Sequence, residues 1–372
     1  MNDVRVAVGA VAGVTGGPAT YVIELVRALR ALEDAQLQVT VLTDSPDAFA
    51  DIDVETVDLP LPSPWAQPWW DNVAVPRALR RGGFDVYHGT KHALPLLGAP
   101  TGVGQVVTIH DLAVYAEPDT FSWAQRMQLY VHIRHCSGVA DRVICVSEHA
   151  ANDVVTRLGI PREKITVIPH GIGSIFRPID DPVRREEVRR KHGVEAGAFL
   201  FAYVGTSQPR KRIDVAIEAV GRLVEEGVPA TLVIAGRRRP GYEPAWLESP
   251  PPFVRVLGEI PSEDLVDLLG AADVMVSPSS YEGFGLTFAE AMACGTPVVG
   301  VAVTSVPEVV GDGGVLVDAP DVAQVADALR RLVNDTEFRA TKAFAARERA
   351  ASLSWERAAR ASAEVYRAVQ TD

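Results

Sequence analysis

Two carboxylates and two cations in the second half of the sequence are the side chains best suited to chemistry. Glu282 and Glu290 bracket Gly283-Phe284-Gly285, and Leu286 opens an apolar helical pattern directly after the turn. At such a helix start, backbone N–H groups and the positive end of the helix dipole suit phosphate oxygens. A carboxylate beside a bound phosphate is repelled by it, so Glu282 is better matched to a neutral, hydroxyl-rich group next to the phosphate. A sugar joined to a diphosphate offers both. Glu290, two turns further on, is placed for a second polyol such as a ribose. Arg210 and Lys211 stand at the start of another helical pattern. Two cations and a helix dipole can neutralise a departing diphosphate without a metal ion.

The elements that position these residues alternate strand and helix, which implies parallel sheets wrapped by helices. In the first half, strands are expected near 4–9, 37–42, 84–88, 104–109, 142–146 and 165–168, with helices near 18–32, 66–81, 122–137 and 147–158. In the second half, strands are expected near 199–204, 230–235, 253–257, 273–277, 297–300 and 315–317. Helices there fall near 211–226, 262–270, 285–293 and 321–334. At 372 residues the chain is too long for one comfortable core. The pattern gives an α/β protein of two doubly wound, Rossmann-like domains. Residues 1–172 form the first and 198–353 the second, with the charged, proline-bearing stretch 173–197 as linker. Open sheets of this kind bind ligands at the carboxyl ends of their strands, so two of them facing each other are expected to make a cleft.

The run 272–299, with its Glu-(seven residues)-Glu spacing, Gly-Phe-Gly insert and following Ala291-Met-Ala-Cys-Gly-Thr-Pro297, resembles the signature of retaining glycosyltransferases of the GT-B fold, family 4. Val306-Pro-Glu308, Cys145-Val-Ser-Glu-His149 and Val167-Ile-Pro-His-Gly171 are similar to text of the same family, and the likeness extends over nearly the whole chain. It implies that the first domain faces the acceptor and the second binds the nucleotide-sugar donor, with the final segment 354–372 crossing back to the first domain. It further implies that Arg210 and Lys211 lie beside the 282–285 turn and that the base stacks near 256–260. His110, on a strand ending His110-Asp111, should help hold the hydroxyls of the transferred sugar. Many relatives carry Arg directly after the glycine of Val204-Gly205; here the residue is Thr206, which leaves Arg210 as the substitute. Pro209-Arg-Lys211, the tryptophan-rich segment 64–76 and His110-Asp-Leu112 look most like the mannosyltransferase branch, making GDP-mannose the first donor expected and UDP- or dTDP-sugars the next.

Other motifs carry competing readings. The first loop, Gly13-Val-Thr-Gly16-Gly17, is glycine-rich after a strand, but its spacing fails the dinucleotide fingerprint. Under the resemblance, Gly16 and Gly17 let backbone approach the donor diphosphate; otherwise they make a plain turn before a helix. Trp65, Trp69 and Trp70 crowd the front of one helix. Packing is the first reading, an acceptor platform or a foot on a membrane surface the alternatives. His88 and His92 are four apart but lack the context of a zincin helix. Asp51-Ile-Asp53 spells the motif of metal-dependent enzymes of another fold and is expected to face solvent. No metal or other cofactor is expected.

A formal net charge of −12 argues against nucleic acid as a partner. Three cysteines without metal spacing and no long apolar run fit a cytoplasmic protein, with weak peripheral contact at the inner face of a membrane still compatible. The expected activity is metal-independent, retaining transfer of a hexose to a hydroxyl on a carbohydrate, lipid-linked or small-molecule acceptor. A nucleotide-sugar epimerase of similar fold would act without acceptor, and a non-catalytic binding protein would never release nucleotide from sugar.

Overall fold

The computed structural model describes residues 3–11, 16–61 and 66–370. The chain divides into two compact units, one made of Met1–Gly171 with Ser354–Asp372 and the other of Ile172–Leu353.

In the first unit, seven parallel strands form one sheet: β1 (Val4–Ala10), β2 (Leu37–Thr43), β3 (Glu55–Asp58), β4 (Val86–Gly89), β5 (Gly104–Ile109), β6 (Arg142–Cys145) and β7 (Ile165–Val167), in the order β3-β2-β1-β4-β5-β6-β7. β1 and β2 are buried along nearly their whole length, as parallel strands covered on both faces must be. One face packs on α1 (Gly17–Ala31) and on the last helix, Trp355–Gln370, through Tyr21, Leu25, Leu29, Trp355, Ala359 and Tyr366. The other face is covered by α2 (Val75–Gly82), α3 (Trp123–Val139) and α4 (Glu148–Leu158). α3 starts on a capping box in which Ser122 and Gln125 satisfy each other's backbone N–H.

Edge strand β3 was not expected from the sequence. Its four residues are partly exposed and carry no apolar alternation strong enough to signal a strand. Asp51 and Asp53, just before it, are exposed and pair with Arg27 at 2.7 Å and Arg30 at 3.1 Å on α1. Trp70 is core, its indole N–H donating to the Leu59 carbonyl at 2.8 Å, whereas Trp69 is about half exposed. Trp65 lies outside the described residues.

The second unit has six parallel strands, β8 (Phe199–Val204), β9 (Ala230–Ala235), β10 (Val254–Gly258), β11 (Val274–Ser277), β12 (Val298–Val301) and β13 (Gly314–Val317), in the order β10-β9-β8-β11-β12-β13. Residues 173–197, expected as a linker, belong to this unit and contain a helix, α5 (Pro182–Lys191). Its charged text disguises an anchor. Arg185 and Arg189 reach Asp273 just before β11, each at 2.9 Å, and Arg189 also donates to the carbonyls of Ala271 and Ala198. Burial works to raise the Asp273 pKa, but the Leu200 amide and the two guanidinium groups outweigh it and hold it below the usual carboxylate value. All three cysteines are buried thiols, with pKa values pushed up to about 12 by desolvation.

Replacing Asp273 with Ala strands Arg189, only 7% exposed at its side chain. The expected loss is about 3 kcal/mol of stability in urea unfolding, against under 1 kcal/mol for the exposed pair partner Asp53→Ala.

Candidate active site

In the second unit the strand order reverses between β8 and β11, so the loops leaving their carboxyl ends are neighbours at the switch point. The loop after β8, residues 205–212, ends in a single 3-10 turn, Pro209–Lys211, before α6 (Ile213–Glu225). The loop after β11 leads through 278–285 into α7 (Leu286–Ala293). Close approach here demands glycine twice. A Cβ on Gly236, which follows β9, would meet the Gly205 carbonyl oxygen at 2.1 Å, and Gly236 has φ 141°. Gly285, the residue before α7, has φ 92°, and a Cβ there would press on Phe288 at 2.9 Å.

These loops bring Arg210, Lys211 and Glu282 together. Lys211 Nζ donates to Glu282 Oε1 at 2.5 Å, and Arg210 Nη1 lies 3.8 Å from Glu282 Oε2. Arg210 also donates to the Tyr281 carbonyl at 2.6 Å, and its own carbonyl accepts the Ser280 amide at 2.9 Å. Glu282 is 6% exposed. Burial pushes its pKa up, but the charges of Lys211 and Arg210, with hydrogen bonds from Lys211 and Ser279, prevail and keep it ionised below the ordinary glutamate range. Its amide donates to Thr304 Oγ1 at 3.0 Å, and Ser305 Oγ donates to the carbonyls of Glu282 and Phe284 at 3.0 and 3.1 Å. Thr304 adopts φ 51°, an unusual geometry for a threonine that this amide contact accompanies.

Sequence reasoning singled out the ends of this arrangement and missed its supports. Thr304, Ser305 and Ser279 looked like loop residues with no periodic signal. Tyr203 read as a core strand residue. Its hydroxyl is fully buried without a hydrogen-bond partner among the described residues, 3.2 Å from where a Gly205 Cβ would stand. An unpaired buried hydroxyl is costly and commonly marks a place where a ligand or water completes the bonding.

Gly283, Phe284, Gly285 and Leu286 form the turn into α7, with Gly285 in the left-handed conformation at the N-cap and no side-chain cap. The first-turn amides of any α-helix lack intrahelical acceptors and carry the positive end of its dipole, so this terminus favours an anion. Glu290 sits inside α7, 9% exposed, and burial raises its pKa to about 7. Val256 is half-buried on β10, an edge strand of the same sheet.

The first unit holds the remaining expected residues. Gly16 caps α1 with φ 102°, and Gly17 is the first residue of that helix; Gly13 lies outside the described residues. His110 follows β5 and is 7% exposed. Its Nε2 lies 2.7 Å from the Thr90 carbonyl oxygen, which only accepts, so Nε2 carries the proton and Nδ1 is left as an acceptor. Burial lowers its pKa against the opposing pull of Thr90 and Asp111. The structure gathers more imidazoles here than the sequence suggested. Tyr21 and His110 meet edge to face at 4.9 Å between ring centres, with His92 at 5.5 Å and His170 at 5.6 Å from His110. His88 bonds Tyr366 and Thr108, each at 2.8 Å, and Tyr21 bonds the same threonine at 2.9 Å. Burial lowers His88 and His92 to about 3. Among the described residues no group of three or more His, Cys, Asp or Glu is suited to hold a metal ion.

Both sets of groups link stability to pH. Glu290 has a raised folded pKa, so its contribution is complete below the unfolded value and is lost as pH rises toward 7. Glu290→Gln should therefore stabilise the unliganded protein by up to about 3 kcal/mol at about pH 8 and very little at about pH 4, measured by urea unfolding; a pH-independent difference would contradict the buried acid. The imidazoles have lowered folded pKa values, so they favour the folded state above the unfolded histidine value and disfavour it below. Stability should decline as pH falls under about 6.5, and His88→Gln should flatten that decline.

Comparison with known proteins agrees with this architecture. A family model described as Glycosyltransferase Family 4 matches residues 15–173, and one described as Glycosyl transferases group 1 matches residues 184–349. O-antigen chain mannosyltransferase B of Escherichia coli is 28% identical over 295 residues, covering 78% of this chain and 76% of that protein. A D-inositol 3-phosphate glycosyltransferase of Nocardioides sp. is 30% identical over 321 residues, covering 78% of this chain and 69% of that protein. Among solved structures, the Anabaena protein HepE in complex with UDP-glucose superposes with a TM-score of 0.78 at 19% identity, over 98% of this chain and 99% of that one. Sucrose-phosphate synthase from Thermosynechococcus elongatus superposes with a TM-score of 0.77 at 24% identity, over 98% of each chain. With its two parallel α/β units and both family matches, the chain belongs to the GT-B glycosyltransferases of family 4.

Proposed function

We propose that the protein transfers a hexose from a nucleotide-diphospho-sugar to a hydroxyl acceptor with retention of anomeric configuration and without a metal ion. The observation that carries this reading is the Lys211–Glu282–Arg210 cluster set beside the amino end of α7. Two cations against one carboxylate leave a net positive charge, and the helix terminus adds to it. Such a place stabilises the negative charge that develops on a diphosphate as the bond between the anomeric carbon and the phosphate oxygen breaks.

In this proposal Lys211, Arg210 and the amides of 283–286 bind the diphosphate. Lys211 has three N–H donors and satisfies Glu282 and a phosphate oxygen together. Glu282, ionised and fixed, accepts hydrogen bonds from sugar hydroxyls, and Glu290 accepts from the ribose. Gly16 and Gly17 allow backbone to approach the phosphates, and the base stacks near 256–260. The neutral His110 offers Nδ1 to a hydroxyl of the transferred sugar. The acceptor oxygen attacks from the face the diphosphate leaves, and the acceptor proton passes to a departing phosphate oxygen, so charge and protons balance without a covalent enzyme intermediate.

GDP-mannose is the first donor proposed, supported by the name of the Escherichia coli relative, with UDP- and dTDP-sugars next, supported by the UDP-glucose bound to HepE. The acceptor is a hydroxyl of a carbohydrate, lipid-linked sugar or small molecule; inositol phosphate joins the panel on the name of the Nocardioides relative.

The test is a donor panel with NMR readout of the product's anomeric configuration, with and without EDTA. Lys211→Ala should lower kcat by about 10²–10³-fold, the scale of losing one preorganised charge contact, while the thermal unfolding profile stays that of a folded protein. Turnover unchanged in that variant, an inverted product, or activity abolished by chelation would each overturn the corresponding part of the proposal.

A further inference from the structure

Tyr203, the next-to-last residue of β8, is fully buried and belongs to the same apolar core as Phe201, Ile213 and Ile234. Its hydroxyl is the exception in that core, since it has no hydrogen-bond partner among the described residues. Around it, backbone pairing carries the sheet past the ends of its strands. The Gly205 amide donates to the Ala235 carbonyl at 2.9 Å, the Gly236 amide to the Gly258 carbonyl at 2.7 Å and the Ser207 amide to the Arg237 carbonyl at 2.8 Å. These amides are committed to the sheet and do not serve the phenol. Gly205, at φ 153°, takes bare backbone past the hydroxyl, and a Cβ there would stand 3.2 Å from it.

A phenylalanine would fill the same space without stranding a hydroxyl, so packing alone gives no reason for tyrosine here. The charged groups that act on the phenol are Glu282 and Arg210. Burial is the largest influence and raises its pKa, Glu282 adds to the rise and Arg210 opposes it, so the phenol keeps its proton and has it to donate. Glu282 is itself held unevenly. Its Oε1 takes the Lys211 ammonium at 2.5 Å, whereas Arg210 stands 3.8 Å from Oε2, beyond hydrogen-bond distance. A diphosphate that draws on both cations weakens this hold while the carboxylate stays buried, a costly state for a charge.

We propose that Tyr203 is a positioning residue of the phosphate-binding cluster: with a nucleoside diphosphate bound, its O–H donates to the Glu282 carboxylate and replaces the contact that the cations give up to the phosphates. Before binding, Lys211 and Arg210 fill that role and the hydroxyl is left over. The ligand thus completes the bonding of Tyr203 without touching it, and Glu282 stays ionised and fixed. The cost of the stranded hydroxyl disappears on binding, which couples donor recognition to a residue inside the sheet. The inference rests on the donor site proposed above.

The experiment is isothermal titration calorimetry of the full chain with GDP, UDP and dTDP, paired with thermal unfolding of each protein without nucleotide. Tyr203→Phe should weaken binding of the preferred nucleotide by about tenfold or more, the scale of one hydrogen bond to a charged group. Its melting temperature without nucleotide should equal or exceed that of the wild type. A double-mutant cycle assigns the route: in a Glu282→Gln background, Tyr203→Phe should change the affinity by less than about twofold. Unchanged affinity in Tyr203→Phe overturns the proposal, as does an equal loss in both backgrounds. A melting temperature lowered by more than about 2 °C also overturns it, because the hydroxyl would then be bonded within the protein before any ligand arrives. If none of the three nucleotides binds the wild type, the donor reading falls and this one with it; a wild type that binds and a variant that binds equally remove the role of Tyr203 alone.

Discussion

A carboxylate buried between two cations is the constraint around which the second unit is organised. Removing one partner of a buried ion pair leaves a desolvated charge and costs several kcal/mol, so Glu282 and Lys211 must be positioned together or not at all. The fold meets that demand through topology. Because β8 and β11 adjoin where strand order reverses, residues far apart in sequence leave the sheet side by side. Gly236 then lets the β9 loop approach the Gly205 backbone, and Gly285 leaves room for Phe288 at the start of α7. Glu282 is the counter-charge that Lys211 and Arg210 share across the two loops.

The first unit works by a different electrostatic logic. The buried imidazoles of His88, His92 and His110 are stripped of solvent, which is the largest influence lowering their pKa values. Neutral rings offer one donor and one acceptor each. The contacts of His88 with Tyr366 and Thr108, and of Tyr21 with the same threonine, use that capacity to join β4, β5, α1 and the last helix into one polar seam through an apolar core. His110 lies at the end of this seam with its tautomer set by the Thr90 carbonyl.

Much of this is legible in the sequence because the strongest signals are periodic. Continuous apolar runs such as Phe199–Val204 and Ala230–Ala235 give central parallel strands directly, and the whole run 272–299 around Glu282 and Glu290 carries the family resemblance. What stayed hidden depends on contacts far apart in sequence. Helix Pro182–Lys191 looks like a solvated charge run until Asp273 appears as the partner of Arg189, and β3 is defined by its neighbour β2 rather than by its own letters. Thr304 and Tyr203 became visible only when the loops were brought together, since neither has a local pattern to distinguish it. The tryptophan cluster divided between roles, with Trp70 buried and Trp69 at the surface, because helical geometry turns adjacent residues about 100° apart.

The buried thiols described with the fold have a practical consequence. Alkylating reagents react with thiolates, and desolvation leaves almost none at neutral pH in the native protein. Each unit thereby contains its own internal clock, Cys136 and Cys145 in one and Cys294 in the other. Peptide-resolved labelling over time reports how often each half opens, without any engineered probe.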